Sequence, residues 1–101
     1  MLEVQITKDN FQKEVLDYKG TVILDFYGTW CMPCKMLAPI VEKVCTEQNI
    51  KLAKLDIDEN EELVRQFKIM SVPTLKIFKD GKEVQTSVGL VSENRILELI
   101  K

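Results

Sequence analysis

Residues Thr21 to Tyr27 read TVILDFY, a nearly continuous run of apolar, β-branched and aromatic side chains. A strand with water on one face alternates apolar and polar residues. This one does not, so it reads as a central strand covered on both faces. The segments around it alternate in period. Residues 2–6 form a short strand candidate. Phe11, Val15 and Leu16 then recur at helical spacing after cap-type residues Thr7, Asp9 and Asn10, with Gly20 as the stop. After Pro33 a long helical pattern places Leu37, Ile40, Val41, Val44 and Cys45 on one face. Pro39 lies inside it, so a kink is expected there. Residues 51–57 are a third strand, and Asp58 with Glu61 resembles a capping pair before Leu63, Val64 and Phe67. Strands 74–79 and 83–88 flank Asp80-Gly81, a hairpin turn signal. Ser92 can cap a last helix carrying Ile96, Leu97, Leu99 and Ile100.

Helices between the early strands argue for a parallel half, and the hairpin argues for an antiparallel half. The expected fold is α/β: a single mixed sheet flanked by helices, with residues 1–101 as one domain. No repeat, linker or low-complexity tract divides it. Lys and Arg total 14 against 16 Asp and Glu, for a net charge of -2. There is no basic stripe for nucleic acid and no polybasic cluster for a membrane surface. No apolar run approaches a membrane span, and no signal peptide is visible, so the cytoplasm is the expected compartment.

The chain contains no histidine, which excludes His-based triads, His general acid–base catalysis and His metal sites. It contains three cysteines: Cys31, Cys34 and Cys45. So few cysteines do not make a disulfide scaffold, and in a reducing compartment a pair is more often catalytic or metal-binding. Trp30-Cys31-Met32-Pro33-Cys34-Lys35 follows the central strand and opens the long helix. Cysteines three apart at a helix start can meet across one turn. Cys31 sits where unpaired backbone N–H groups and the positive end of the helix dipole stabilise a thiolate. Cys34 lies one turn deeper. Pro33 suits the first turn, where its missing N–H removes no bond. Structural zinc is the rival, but it needs four Cys or His ligands and only Cys45, on the apolar helix face, remains. Cys45 reads as a small core hydrophobe, with a regulatory thiol as the alternative. Asp25, inside the apolar run, shares a face with Ile23 and Tyr27. It is either a strand-end carboxylate reaching water or a backbone N–H, or a buried proton acceptor.

From Val22 to Gly89 the chain resembles the thioredoxin family. The resemblance rests on Asp25-Phe26-Tyr27 before the dithiol, on Trp30 to Lys35, on Ala38-Pro39, on Ala53 to Asp58, on Ser71-Val72-Pro73-Thr74 and on Val88-Gly89. It implies a five-stranded mixed sheet with four helices and a protein disulfide reductase active in electron transport and cell redox homeostasis. Cys31 would attack the substrate disulfide, and Cys34 would resolve the mixed disulfide with Asp25 as proton acceptor. Lys54 would influence the charge of Asp25. Pro73 would be cis beside the sulfurs, leaving the Val72 backbone free to pair with an extended substrate. Trp30, Met32, Val72, Val88 and Gly89, with Pro33 and Leu90, would rim an apolar docking patch. The implied partners are disulfide-bonded proteins and a thioredoxin reductase. No cofactor is implied, nothing binds a nucleotide, and a monomer is expected.

Met32 replaces the family's usual glycine between the cysteines, a position that tunes redox potential. A thiol oxidase or disulfide isomerase is therefore a live alternative. So are a non-catalytic binding module of the same fold and a metal-binding protein with a cluster shared between chains.

Overall fold

A computed structural model describes residues 2–101. The chain runs β1 (Glu3–Gln5), a π-helical segment (Gln12–Leu16), β2 (Thr21–Tyr27), α1 (Met32–Gln48), β3 (Lys51–Asp56), α2 (Glu61–Gln66), β4 (Thr74–Lys79), β5 (Lys82–Val88) and α3 (Glu93–Leu99). The five strands form one sheet in the order β1-β3-β2-β4-β5. β3 pairs parallel with both β1 and β2, while β4 pairs antiparallel with β2 and β5. This is the parallel half and antiparallel half that the crossovers and the hairpin imply.

β2 lies at the centre and divides its side chains between two cores. Ile23 joins Leu37, Val41 and Val44 of α1, Leu52, Leu75 and Ile77 of the sheet, and Ile96 and Leu99 of α3. Val22, Leu24 and Phe26 face the other way, against Phe11, Val15, Leu63 and Phe78. Phe67 closes that side by edge contacts with Phe11, Phe26 and Phe78. The nearly continuous apolar run thus has its physical cause in two cores sharing one strand.

Several local expectations hold with changes. The Thr7 and Asn10 side chains cap reciprocally, each accepting the other's backbone N–H at 3.3 and 2.7 Å. The helical turn after them ends at Leu16 rather than at Gly20. Gly20 instead opens β2, and its N–H donates to Asp80 Oδ1 at 2.8 Å. α1 continues through Pro39, which faces outward and does not end the helix. Asp58 and Glu61 form no capping pair. The N-cap of α2 is Asn60, whose amide donates to the carbonyls of Ile6 and Asp56. Ser92 caps α3 as expected, accepting from the Arg95 N–H at 3.1 Å.

Candidate active site

The C-terminal end of β2 leads through Gly28 and Thr29 into α1. Cys31 is the N-cap of that helix, with extended backbone, and its sulfur accepts from the Cys34 N–H at 3.2 Å. A helix start leaves its first N–H groups without intrahelical partners. One of them is here aimed at sulfur, so negative charge on Cys31 has a donor already in place. Cys31 and Cys34 are joined as a disulfide, with Cα atoms 5.2 Å apart. Both are buried in this form, at 4% and 6% exposure, so exposure does not separate an outer thiol from a deeper one as anticipated. The distinction that remains is the capping geometry of Cys31.

The loop before β4 reaches the same sulfur. The Val72–Pro73 peptide bond is cis, and Cys31 Sγ lies 3.8 Å from the Val72 carbonyl oxygen. Pro73 is buried and Val72 half-buried. The Pro73 carbonyl accepts from Gly89 N–H at 2.8 Å, and Thr74 pairs with Val88. Gly89 has φ 94°, a backbone conformation that glycine adopts without strain. These bonds bring the β5 end beside the loop.

Trp30, Met32, Val88 and Leu90 are exposed around this point. A surface that leaves several large apolar groups in water beside a reactive pair is a docking candidate. Trp30 is not free to swing: its indole N–H donates to Asp58 Oδ2 at 2.8 Å. Gly28 makes room for it, since a Cβ there would meet the indole at 2.7 Å. Neither Asp58 nor Gly28 was identifiable as a site residue from sequence. Asp58 is hidden in an acidic stretch, and a glycine's packing role has no local signature. Met36 was also missed, although its spacing from Met32 puts the two on one helix face. Met70, two residues before Val72, is the fourth addition; it lines a shallow groove together with Val88.

Asp25 lies beneath α1, on the sheet face it shares with Ile23. It is 3% exposed, and its Oδ1 has no hydrogen-bond partner among the described residues. Desolvation raises its carboxyl to about 6, against opposition from the Lys54 charge and with help from Glu42. Lys54 stands opposite Asp25 in the β2–β3 register. Its ammonium lies 4.9 Å over the Tyr27 ring, so its influence on Asp25 is through space. Cys45 is fully buried on the same side, and desolvation, reinforced by the Asp25 charge, pushes its thiol up to about 12. It therefore packs as a hydrophobe and is not a nucleophile at neutral pH. Among the described residues no cluster of three His, Cys, Asp or Glu side chains could hold a metal ion, and no helix is long and apolar enough to cross a membrane.

A dithiol at a helix start, a cis-proline loop against its sulfur and a buried carboxyl below define a thiol–disulfide oxidoreductase on a mixed five-stranded sheet. The sequence matches the Thioredoxin family over residues 3–101. Thioredoxin of Bacillus subtilis is 40% identical over 102 residues, covering 99% of this chain and 96% of its own length. Thioredoxin of Mycobacterium bovis is 42% identical over 93% of this chain and 83% of its own length. The structure of a mutant thioredoxin from Halobacterium salinarum matches with a TM-score of 0.89 and 35% identity, covering 98% of this chain and 88% of that one. The chain belongs to the thioredoxin family, and its activity is dithiol–disulfide exchange.

Proposed function

We propose that the chain is a general protein disulfide reductase in which Cys31 attacks and Cys34 resolves. The observation that carries this division is the Cys34 N–H held 3.2 Å from Cys31 Sγ at the start of α1. In the first step the Cys31 thiolate attacks one substrate sulfur. The substrate S–S bond breaks, a mixed disulfide forms, and the departing substrate thiolate takes up a proton. In the second step Cys34 loses its proton to Asp25 and attacks Cys31 Sγ. The second substrate thiolate leaves, and the Cys31–Cys34 bond forms. Two electrons have then passed from dithiol to substrate. A carboxyl poised at about 6 is mostly ionised at neutral pH, so it is available to receive that proton.

The substrate would lie extended along the Val72 backbone, with its apolar side chains against Trp30, Met32 and Val88. Return to the dithiol form requires a reductant, for which we assign a thioredoxin reductase. A Mycobacterium leprae relative, 40% identical over 93% of this chain and 21% of its own length, is named a bifunctional thioredoxin reductase/thioredoxin. The buried free Cys45 and the lack of a disulfide scaffold suit a reducing compartment such as the cytoplasm. The chain is expected to act as a monomer without a cofactor. The test is reduction of insulin by the isolated protein with dithiothreitol as electron source. Catalysis well above the dithiothreitol background supports the reading. Activity no greater than background, with the fold intact, would remove it.

A further inference from the structure

We propose that Met32, Met36 and Met70 form a modification site on the docking face, where peroxide oxidises their thioethers while the protein is in its disulfide form, weakening the docking of protein substrates. The inference rests on reading the apolar rim as the substrate-docking surface.

Methionine ordinarily fills gaps in cores. Among the described residues, neither core contains one. All three described methionines are exposed instead, at 62%, 54% and 94%. Their positions converge on the dithiol. Met32 separates the two cysteines, and Met36 follows one turn later on α1. Met70 precedes the loop whose Val72 carbonyl approaches Cys31 Sγ, and it shares a groove with Val88.

In the disulfide form the other sulfurs are closed. Cys31 and Cys34 are bonded to each other and buried. Cys45 is inaccessible and carries no appreciable thiolate. The accessible reduced sulfur among the described residues therefore belongs to the three methionines. Each oxidation is balanced by one peroxide. The sulfur lone pair attacks an oxygen, the O–O bond breaks, a sulfoxide forms and water leaves. Sulfur loses two electrons and the peroxide gains them. The product is polar and chiral where the thioether was apolar, so it no longer fits an apolar contact. Methionine sulfoxide reductases return it to thioether. No bond to either cysteine sulfur is changed.

The test treats the disulfide form with hydrogen peroxide, maps the added oxygen by peptide mass spectrometry, and then reduces the dithiol with dithiothreitol. Single-turnover rates are measured with insulin and with a small aromatic disulfide, each against an untreated sample. Oxygen should appear at Met32, Met36 and Met70 but not at Cys45. The insulin rate should fall about fivefold to tenfold, while the small-disulfide rate should fall much less. A triple Met→Leu variant keeps the apolar surface without the oxidisable sulfur, so its insulin rate should not respond to peroxide. An equal loss in that variant would overturn the proposal, as would full sulfoxidation without loss. Val88→Asp separates this from the docking reading. If Val88→Asp slows insulin reduction and sulfoxidation does not, the docking surface stands and the modification site fails. If neither does, both fail.

Discussion

Asp25 and Cys31 show how single residues acquire chemistry from their position. A carboxyl at about 6 in the folded chain and at 3.8 when unfolded binds more protons folded than unfolded between those pH values. Stability must therefore fall as pH rises through that window, and the loss is complete above about 6. Asp25→Asn removes this penalty. It should gain up to about 3 kcal/mol at pH 7 and about nothing below pH 4, measured by urea unfolding at both values. A gain independent of pH would show that ionisation is not its source. The same variant should resolve mixed disulfides more slowly at neutral pH. Cys34→Ser should accumulate a mixed disulfide with substrate on a non-reducing gel, and Cys31→Ser should trap little. Equal adducts in both variants would refute the assigned roles. Gly28→Ala should displace the Trp30 indole and break its bond to Asp58, because the added methyl would stand 2.7 Å from the ring. We expect a changed Trp fluorescence and slower insulin reduction, with stability altered by no more than about 1 kcal/mol. Unchanged fluorescence would mean the ring is not held there.

At the scale of elements, the hairpin and the helix starts carry the local instructions. Asp80 and Gly81 both have positive φ, 51° and 83°, as a two-residue turn between twisted strands requires. A side chain at Gly81 would also collide with the Leu16 carbonyl oxygen at the end of the π-helical segment. Gly81→Ala should therefore lose about 1–3 kcal/mol, read as a lower Tm. Wild-type stability would mean the turn can relax away from Leu16. The turn was legible because its dipeptide encodes it, and Ser92 was legible because capping is local. Asp58 and Glu61 misled for the reverse reason. The spacing of a capping pair is present, but α2 starts later, with Asn60 as its N-cap, and Asp58 instead accepts from Trp30, twenty-eight residues earlier in the chain.

The whole molecule is one sheet with a core on each face, and β2 belongs to both. Truncating Leu37 on one side or Phe26 on the other should each cost about 2–5 kcal/mol. Each variant should keep a single transition, with Trp30 fluorescence and far-UV circular dichroism coincident. Separated transitions would make the two faces independent. The alternation of strand and helix, the two-faced central strand and the dithiol at a helix start were determined by the sequence itself. Each depends on side-chain period, turn chemistry or a three-residue spacing, which act between near neighbours. Which residues meet at the site was decided by tertiary structure. Strand pairing sets Lys54 opposite Asp25, and loop closure brings Val72 to Cys31 and Met70 alongside Val88. The elevated carboxyl of Asp25 needs an entire core above it to exclude water. Contacts between segments tens of residues apart leave no periodic trace in a sequence, because burial and charge act through space rather than along the chain.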